Sequence, residues 1–381
     1  MSGPKAPPVI AIDVLRFCCA MLVVAYHYGD AFWFQPGPHV AAALSGFPAQ
    51  GFGVPIAKAG AVGVELFFII SGMVIARSAN GVRWSTFLYR RALRLVPAAW
   101  ICATITLFAL VASGQGDAAV FASWFRSIRF WPIGEQIDGS YWTLGVELAF
   151  YLFVAASIGA HASARRIECV GVVLGLASAA FWIVCLIVGP GAHAVMINQT
   201  ALLLLLPHGC LFALGIAIEA VLGQGANRAR LAWLALLIAL AMNETAGHIG
   251  GWQPDPATLA AEMVLVAGIA LLLASGRLQP VMARWITPEA ARTIGIMTYP
   301  LYLIHQDAGA IFLGGLMRIG VNIVPAIILT AGVALVAAWL IATRLEPRVR
   351  RLLVGLSGAR PFRSGRAPAT DIPLNAFPPA G

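Results

Sequence analysis

One stretch decides how the rest of the chain is interpreted: Ile10-Ala-Ile-Asp13-Val-Leu-Arg16-Phe-Cys-Cys-Ala-Met-Leu-Val-Val-Ala-Tyr-His27-Tyr28. It is apolar and, as a helix, long enough to cross the roughly 30 Å of a bilayer's hydrocarbon. Asp13, Arg16 and His27 nevertheless lie inside it. A charged group at this depth costs about 2.5–3.5 kcal/mol on insertion scales, so such residues face a bundle interior or a wet cavity. The stretch therefore predicts a first membrane helix with polar groups on a buried face.

Two of these residues share one side of the predicted helix. Arg16 and His27 are eleven positions apart, which is about three turns and about 16 Å along the axis. An arginine and a histidine on one buried face are typical of a functional site. Partner helices that satisfy both groups for purely structural reasons would explain them equally well, and the stretch alone leaves both readings open.

The composition places the chain in a membrane. Of 381 residues, 60% are hydrophobic and only 11% charged, with a mean hydropathy of +0.84; soluble domains are about 25% charged. The net charge of +9 follows from arginine in cytoplasmic loops, so no nucleic-acid partner is expected. The six cysteines lie in or beside apolar runs, with no C-x-x-C pair and no histidine at metal-ligand spacing, so no metal site is predicted.

Hydropathy predicts an all-α, polytopic membrane helical bundle of about ten transmembrane helices. The candidate spans are residues 9–29, 57–77, 95–114, 141–160, 168–189, 200–222, 231–246, 259–276, 293–316 and 324–343. The seventh is short. Residues 1–350 are expected to form one transmembrane domain, and 351–381, rich in Pro, Gly, Ala and Arg, a disordered cytoplasmic tail.

The distribution of basic residues predicts the orientation. With the N-terminus in the cytoplasm, most of the 25 lysines and arginines fall on the cytoplasmic side of these spans. Those on the opposite side are Lys58, Arg126, Arg129 and Arg318. Because cytoplasmic loops carry an excess of Lys and Arg, both termini are predicted to be cytoplasmic.

The second span begins Gly60-Ala-Val-Gly63-Val-Glu65 and continues to Ser71-Gly72. Its small residues permit close approach of a neighbouring helix. Glu65 is a carboxylate in an apolar helix and needs a cation or a hydrogen-bond donor, for which Arg16 is a plausible partner. A structural ion pair and an active-site role are both open for it, and Ser71 is a further site candidate.

An arginine cluster follows the second span. Arg90 and Arg94 share a helical face, as do Arg91 and Arg94. Guanidinium groups suit phosphate. Topology arginines or anchors for lipid headgroups would explain the cluster equally well.

Two later spans contain further candidates. Glu147 lies about two turns inside the fourth span, and Tyr302 and His305 follow Pro300 in the ninth. A structural hydrogen bond is the alternative for Glu147. A histidine such as His305 is more often a hydrogen-bonded packing residue than a catalyst.

Aromatic residues gather in the predicted outer loops at 30–56 and 115–140 and at the start of the fourth span. They include Trp33, Phe34, Trp124, Phe125, Phe130, Trp131, Tyr141 and Trp142. An aromatic belt at the membrane interface explains them without function. A platform for carbohydrate is the alternative.

These segments together resemble the acyltransferase-3 family of membrane acyltransferases, which includes bacterial O-acetyltransferases of surface polysaccharides. The matching pieces occur in family order. They are Arg16-x10-His27, the Gly-Val-Glu-Leu-Phe-Phe-Ile-Ile-Ser-Gly run at 63–72, Phe87…Arg90-Arg91…Arg94…Pro97, Trp142-Thr-Leu…Glu147…Phe150-Tyr151, and Tyr299-Pro-Leu-Tyr-Leu-Ile-His305. They extend over roughly residues 10–350.

The resemblance implies transfer of an acyl group, usually acetyl from acetyl-CoA, to a hydroxyl of a glycan or another small acceptor. It implies that His27 is the catalytic base or acyl relay, with Arg16 as its companion. Arg91 and Arg94 match the arginine pair thought to meet the CoA phosphates, and Glu147 matches the family's fourth-span glutamate. The expected partners are acyl-CoA, the acceptor and membrane lipids, and the expected location is the bacterial cytoplasmic membrane.

A transporter or flippase of a glycan-lipid or an acidic substrate is the alternative from another class. In that hypothesis the buried Asp, Glu and His side chains form a proton relay. The sequence shows no internal repeat of the kind found in many transporters.

Overall fold

The computed structural model describes residues 10–49, 55–159, 162–189, 198–250 and 255–356, and over these ranges the chain is helical with no strand. The main helices are α1 (Ile10–Tyr26), α2 (Gly63–Ala79), α3 (Trp84–Ala112), α4 (Ala118–Ile128), α5 (Trp142–Ile158), α6 (Ala164–Val188), α7 (Gly209–Gln224), α8 (Arg228–Gly250), α9 (Pro256–Leu273), α10 (Pro288–Ile304), α11 (Asp307–Arg318), α12 (Ile323–Leu340) and α13 (Glu346–Leu356). Shorter helical segments are Phe32–Phe34, Pro38–Ala43, Pro55–Ala59, Gln199–Leu203 and Ser275–Met282. The all-α fold predicted from the sequence is confirmed.

Within the described residues, eight helical segments are long and apolar enough to span a bilayer. The predicted seventh span, which is short in the sequence, is the 23-residue helix α8. α7 is an apolar helix of 16 residues, and α10 has 17 residues. With these two the structure accounts for all ten predicted spans.

Two predicted spans are interrupted. The sixth, 200–222, is divided into Gln199–Leu203 and α7 by a turn in which Leu205 has a φ of 59°. The ninth, 293–316, ends as α10 at Ile304 and resumes as α11 at Asp307. Hydropathy averaged over about twenty residues misses both breaks, because long apolar runs flank the few polar residues there.

The first membrane helix changes from α-helical to π-helical winding at His27. α1 continues without a loop into a π-helical turn, His27–Ala31, and then into Phe32–Phe34. Single π turns inside α-helices occur frequently at functional sites. His27 is the first residue of this turn.

Glycines let the central helix α2 lie against its neighbours. A Cβ at Gly63 would lie 2.5 Å from the carbonyl oxygen of Cys19 on α1. A Cβ at Gly215 on α7 would overlap the carbonyl oxygen of Ile69 on α2. Any larger residue there must push two helix backbones apart. The prediction that small residues in the second span permit close helix packing is confirmed.

The chain's last described helix lies on one side of the bundle. α12 passes through a π turn at Ile341–Leu345 into α13, and Arg350 Nε donates to the Leu93 carbonyl at 3.1 Å. Residues 351–356 of the predicted tail are therefore helical, whereas 357–381 lie outside the described residues. Six helix termini meet at this side: the ends of α2, α5 and α12 and the starts of α1, α3 and α10. We call this side the arginine-rich face.

Candidate active site

A cavity of about 90 Å³ lies between α1, α2, α3, α5 and α10. We call it the basic cavity. It brings together six of the residues singled out in the sequence: Arg16, Ser71, Arg91, Arg94, Glu147 and Tyr302. They come from five helices and are separated by up to 286 positions, so only the fold makes them neighbours.

Helical periodicity explains which arginines reach the basic cavity. Arg91 and Arg94 are three positions apart and lie on the face of α3 that lines the cavity together with Leu95. Arg90 is about 100° around the helix from Arg91 and does not line the cavity. Of the two arginine pairs predicted from the sequence, the structure therefore selects Arg91 and Arg94.

Arg91 is held from three sides. Its NH2 group donates to Ser78 Oγ at 3.1 Å. Its guanidinium carbon lies 5.7 Å from the ring centre of Phe87 and 5.9 Å from that of Tyr151, within the range of cation–π attraction. The buried Nε has no hydrogen-bond partner among the described residues. A fixed guanidinium with a spare donor is suited to an anionic ligand.

Glu147 is the carboxylate of this cavity. Tyr151, one turn further along α5, donates its hydroxyl to Glu147 Oε1. Arg16, Arg91 and Arg94 supply three positive charges against this one carboxylate. The cavity therefore carries net positive charge, which favours a phosphorylated ligand.

Two histidines, His27 in the π turn after α1 and His305 directly after α10, form a hydrogen-bonded pair. His305 Nε2 lies 3.0 Å from His27 Nδ1. His305 Nδ1 lies 2.8 Å from the Tyr302 carbonyl oxygen, and His27 Nδ1 lies 3.0 Å from the Val23 carbonyl oxygen. Tyr28 donates its hydroxyl to the His305 carbonyl at 2.9 Å, so the turn carrying His305 is fixed to α1.

The carbonyl partners assign the protons of the pair. A carbonyl only accepts, so His305 Nδ1 must carry a hydrogen, and in the neutral ring Nε2 is then an acceptor. His27 Nδ1 must supply the hydrogen of the bond between the rings, which it shares with the Val23 carbonyl. In neutral His27 the remaining nitrogen, Nε2, therefore has a free lone pair. His305 is buried and His27 only partly so, which suits His27 as the ring that meets a substrate.

Tyr302 lies between the histidine pair and the basic cavity. Its ring lines the cavity and its centre is 5.7 Å from that of His305 and 5.8 Å from that of Phe67. Thr143 Oγ1 lies 3.2 Å from the Tyr302 hydroxyl and donates to it. Neither His27 nor His305 lines the cavity. In this structure the Tyr302 and Phe67 rings separate the two parts of the candidate site.

One expected contact is wrong: Arg16 is not the partner of Glu65. Glu65 Oε1 is instead 2.6 Å from Nδ1 of His248 on α8. The cavity-lining residues of α2 include Val64, Phe67, Phe68 and Ser71. Glu65 is about 100° from Val64 around the helix, so its carboxylate faces another neighbour.

Two other predicted candidates lie outside the basic cavity. Asp13 packs against α10, where a Cβ at Gly295 would lie 2.5 Å from Asp13 Oδ1. Arg90 is partly buried on α3. Neither of them lines the basic cavity or forms a hydrogen bond with the histidine pair.

A second buried polar group was not predicted from the sequence. His208 Nδ1 lies 2.7 Å from Glu244 Oε1, and both residues are buried. Glu65 and Glu244 each have a second buried oxygen without a hydrogen-bond partner among the described residues. Ionisable residues within the apolar runs are the signal that could have drawn attention to His208 and Glu244. No group of three or more His, Cys, Asp and Glu in the described part of the chain has metal-binding geometry.

These features define a polytopic helical membrane protein with a basic cavity and a histidine pair beyond it. Residues 9–343 match the model of the acyltransferase-3 family, described as an acyltransferase domain. The chain belongs to this family, and the resemblance noted in its motifs is confirmed. The protein is therefore a membrane acyltransferase, and the transporter alternative is not favoured. Searches of curated proteins and of solved structures found no match.

Proposed function

We propose that the protein transfers an acetyl group from acetyl-CoA to a hydroxyl of a glycan or another small acceptor, with His27 as the general base. The observation that carries this proposal is the histidine pair. Its hydrogen bonds leave His27 Nε2 as the nitrogen able to take a proton. A positioned base contributes typically about 10²–10⁴-fold to such a reaction.

The basic cavity supports acyl-CoA as the donor. CoA phosphates need fixed positive charge, and Arg91 and Arg94 offer guanidinium groups on one face of α3. Arg16 lies deeper along α1 toward His27. Because arginine accumulates on the cytoplasmic side, the donor enters from the cytoplasm, and the protein belongs in the bacterial cytoplasmic membrane.

The reaction requires one proton transfer to His27 and one from His27. The acceptor oxygen gives its proton to His27 Nε2 as it attacks the thioester carbonyl carbon. The new C–O bond forms, the C–S bond breaks, and the departing thiolate takes the proton from His27. His305 Nε2 accepts from His27 Nδ1–H and so stabilises the imidazolium between the two transfers. His305 is a positioning residue in this scheme.

Tyr302 and Phe67 stand between the proposed donor site and His27. Their rings separate the basic cavity from the histidine pair. The thioester reaches His27 only if these side chains change rotamer.

Acceptor-dependent release of CoA tests the proposal. Purified protein is supplied with acetyl-CoA and a panel of hydroxyl acceptors, and free thiol and acetylated product are measured. We expect His27→Ala to lose at least 100-fold in turnover while its melting temperature stays within a few degrees of the wild-type value. Full turnover in folded His27→Ala protein would contradict the role of His27. Absence of acetyl transfer to any acceptor in the panel would contradict the donor and acceptor classes.

A further inference from the structure

A second cavity, of about 470 Å³, lies on the side of the bundle away from the arginine-rich face. We call it the acidic cavity. It is enclosed by α4, residues 130–139, the start of α5, the segment Gln199–Leu203 and the turn at Gln306–Asp307. Leu144 lines both this cavity and the basic cavity. One leucine side chain therefore forms part of the wall between them.

The turn that holds His305 also forms a wall of the acidic cavity. Gln306 and Asp307 directly follow His305 and line the cavity. Asp307 Oδ2 accepts from the Gly139 N–H at 2.8 Å, and Asp138 Oδ2 accepts from the Asp307 N–H at 3.0 Å. These reciprocal bonds fasten the cavity wall to the histidine pair. A molecule in the acidic cavity therefore lies beside the proposed catalytic centre.

Aromatic side chains give the acidic cavity flat apolar surfaces. Phe130, Trp131, Tyr141 and Trp142 line it, and Trp131 is 57% exposed. In contrast, Trp33 does not line the cavity, and it donates to a backbone carbonyl. The aromatic residues noted in the sequence thus divide into a packing group and a group that lines a cavity. Aromatic walls with a few polar groups are typical of sites for small molecules.

The ionisable residues that line this cavity are mostly acidic. Among the described residues they are His39, Asp117, Glu135, Asp138 and Asp307, with no lysine or arginine. Burial and the charge of Asp307 raise the pKa of Asp138, so Asp138 contributes less negative charge than a solvent-exposed aspartate would. Asp117 caps α4 by accepting from the Val120 N–H at 2.9 Å. Glu135 is exposed, and its side-chain carboxylate has no hydrogen bond or ion pair within the described residues.

The nearest arginines do not form part of the cavity lining. Arg126 Nε donates to the Glu135 backbone carbonyl at 2.9 Å, and the Arg129 guanidinium carbon lies 3.9 Å from the ring centre of Phe125. Neither lines the cavity. An anionic molecule in the cavity would therefore meet several carboxylates and no lysine or arginine among the described residues of the lining.

We propose that the acidic cavity binds the acyl acceptor, and that this acceptor is a neutral or cationic hydroxyl-rich molecule of the saccharide type. The inference rests on the proposed function, because it assigns the acceptor of that reaction. Aromatic rings contact the apolar faces of the sugar, and the free Glu135 carboxylate accepts from its hydroxyls or pairs with an amino group. Acceptors with carboxylate or phosphate groups are rejected by charge.

Binding in the absence of acyl donor tests the inference separately from the reaction. Saturation-transfer NMR on the full-length protein in detergent would compare methyl glucoside, glucosamine and glucuronic acid, which share one ring. We expect signals from the first two and at least a tenfold weaker response from glucuronic acid. Equal responses from all three, or no response from any, would overturn the inference. Binding as expected without acetyl transfer would instead count against the proposed function.

Two variants connect the binding to this cavity. Glu135→Lys should raise the glucuronic acid response several-fold and lower that of glucosamine. Its control is Glu289→Lys, the same charge change on an exposed residue at the arginine-rich face. Trp131→Ala should weaken binding of every probe at least fivefold. Its control is Trp285→Ala, since Trp285 is 85% exposed and lines neither cavity. Probe binding unchanged in both cavity variants would overturn the inference.

Discussion

Replacing His305 by leucine should slow acyl transfer without weakening donor binding. Leucine fills a similar space but cannot accept the hydrogen bond from His27 Nδ1, which the structure places at 3.0 Å from His305 Nε2. When His27 carries the proton of the acceptor, this bond is made by a charged donor. Hydrogen bonds to charged groups contribute about 1.5–3 kcal/mol.

The Val23 carbonyl, 3.0 Å from the same nitrogen, remains as an acceptor in the variant. The loss should therefore lie at the lower end, about 1.5–2 kcal/mol. At about 1.4 kcal/mol for each factor of ten, kcat falls about 10–30-fold. KM for acetyl-CoA stays within about twofold, because His305 does not line the basic cavity.

His305→Gln is the matched variant, since its amide oxygen can accept the same hydrogen bond. Steady-state CoA release should show kcat for this variant within about fivefold of wild type. Thermal unfolding of both variants controls for the loss of packing at a fully buried position. Equal kcat values for the leucine and glutamine variants, or full activity of folded His305→Leu, would refute the pairing argument.

Two further predictions concern the donor site and the packing of the bundle. Replacing both Arg91 and Arg94 by alanine should raise KM for acetyl-CoA at least tenfold, because both guanidinium groups line the basic cavity, while probe binding in the acidic cavity is retained. The exposed Arg165→Ala variant is the control. An unchanged KM in the double variant would contradict docking of the donor in the basic cavity. Gly215→Val should lower the free energy of unfolding, measured with denaturant, by about 1–3 kcal/mol, because a Cβ would overlap the Ile69 carbonyl oxygen on α2. A melting temperature equal to that of wild type would show that α2 and α7 can separate without cost.

The membrane helices could be predicted because hydropathy is a local property. Each span is set by about twenty consecutive apolar residues, and α8, predicted as a short span, is a helix of 23 residues. The interruption at His305 depends on a long-range interaction. Its carbonyl accepts from Tyr28, 277 positions earlier in the chain, and no local pattern records that contact.

The sequence singled out six residues that line the basic cavity, but it did not predict the contacts that the candidate residues make. Periodicity placed Arg91 with Arg94 correctly, since one helix determines that relation. The partner of Glu65 could not be obtained in this way, because α2 has several neighbours and the 100° between Val64 and Glu65 decides which one the carboxylate meets. The bond between His27 and His305 likewise depends on how α1 packs against α10.

The central claim is that an acetyl group passes from a donor on the arginine-rich side to an acceptor beyond it through His27. Its most direct test uses proteoliposomes of known protein orientation, with labelled acetyl-CoA supplied only at the arginine-rich face and a saccharide acceptor only at the other. We predict label on the acceptor with wild-type protein and at least 100-fold less with His27→Ala. Equal labelling by the two proteins, or labelling only when donor and acceptor share one compartment, would contradict it.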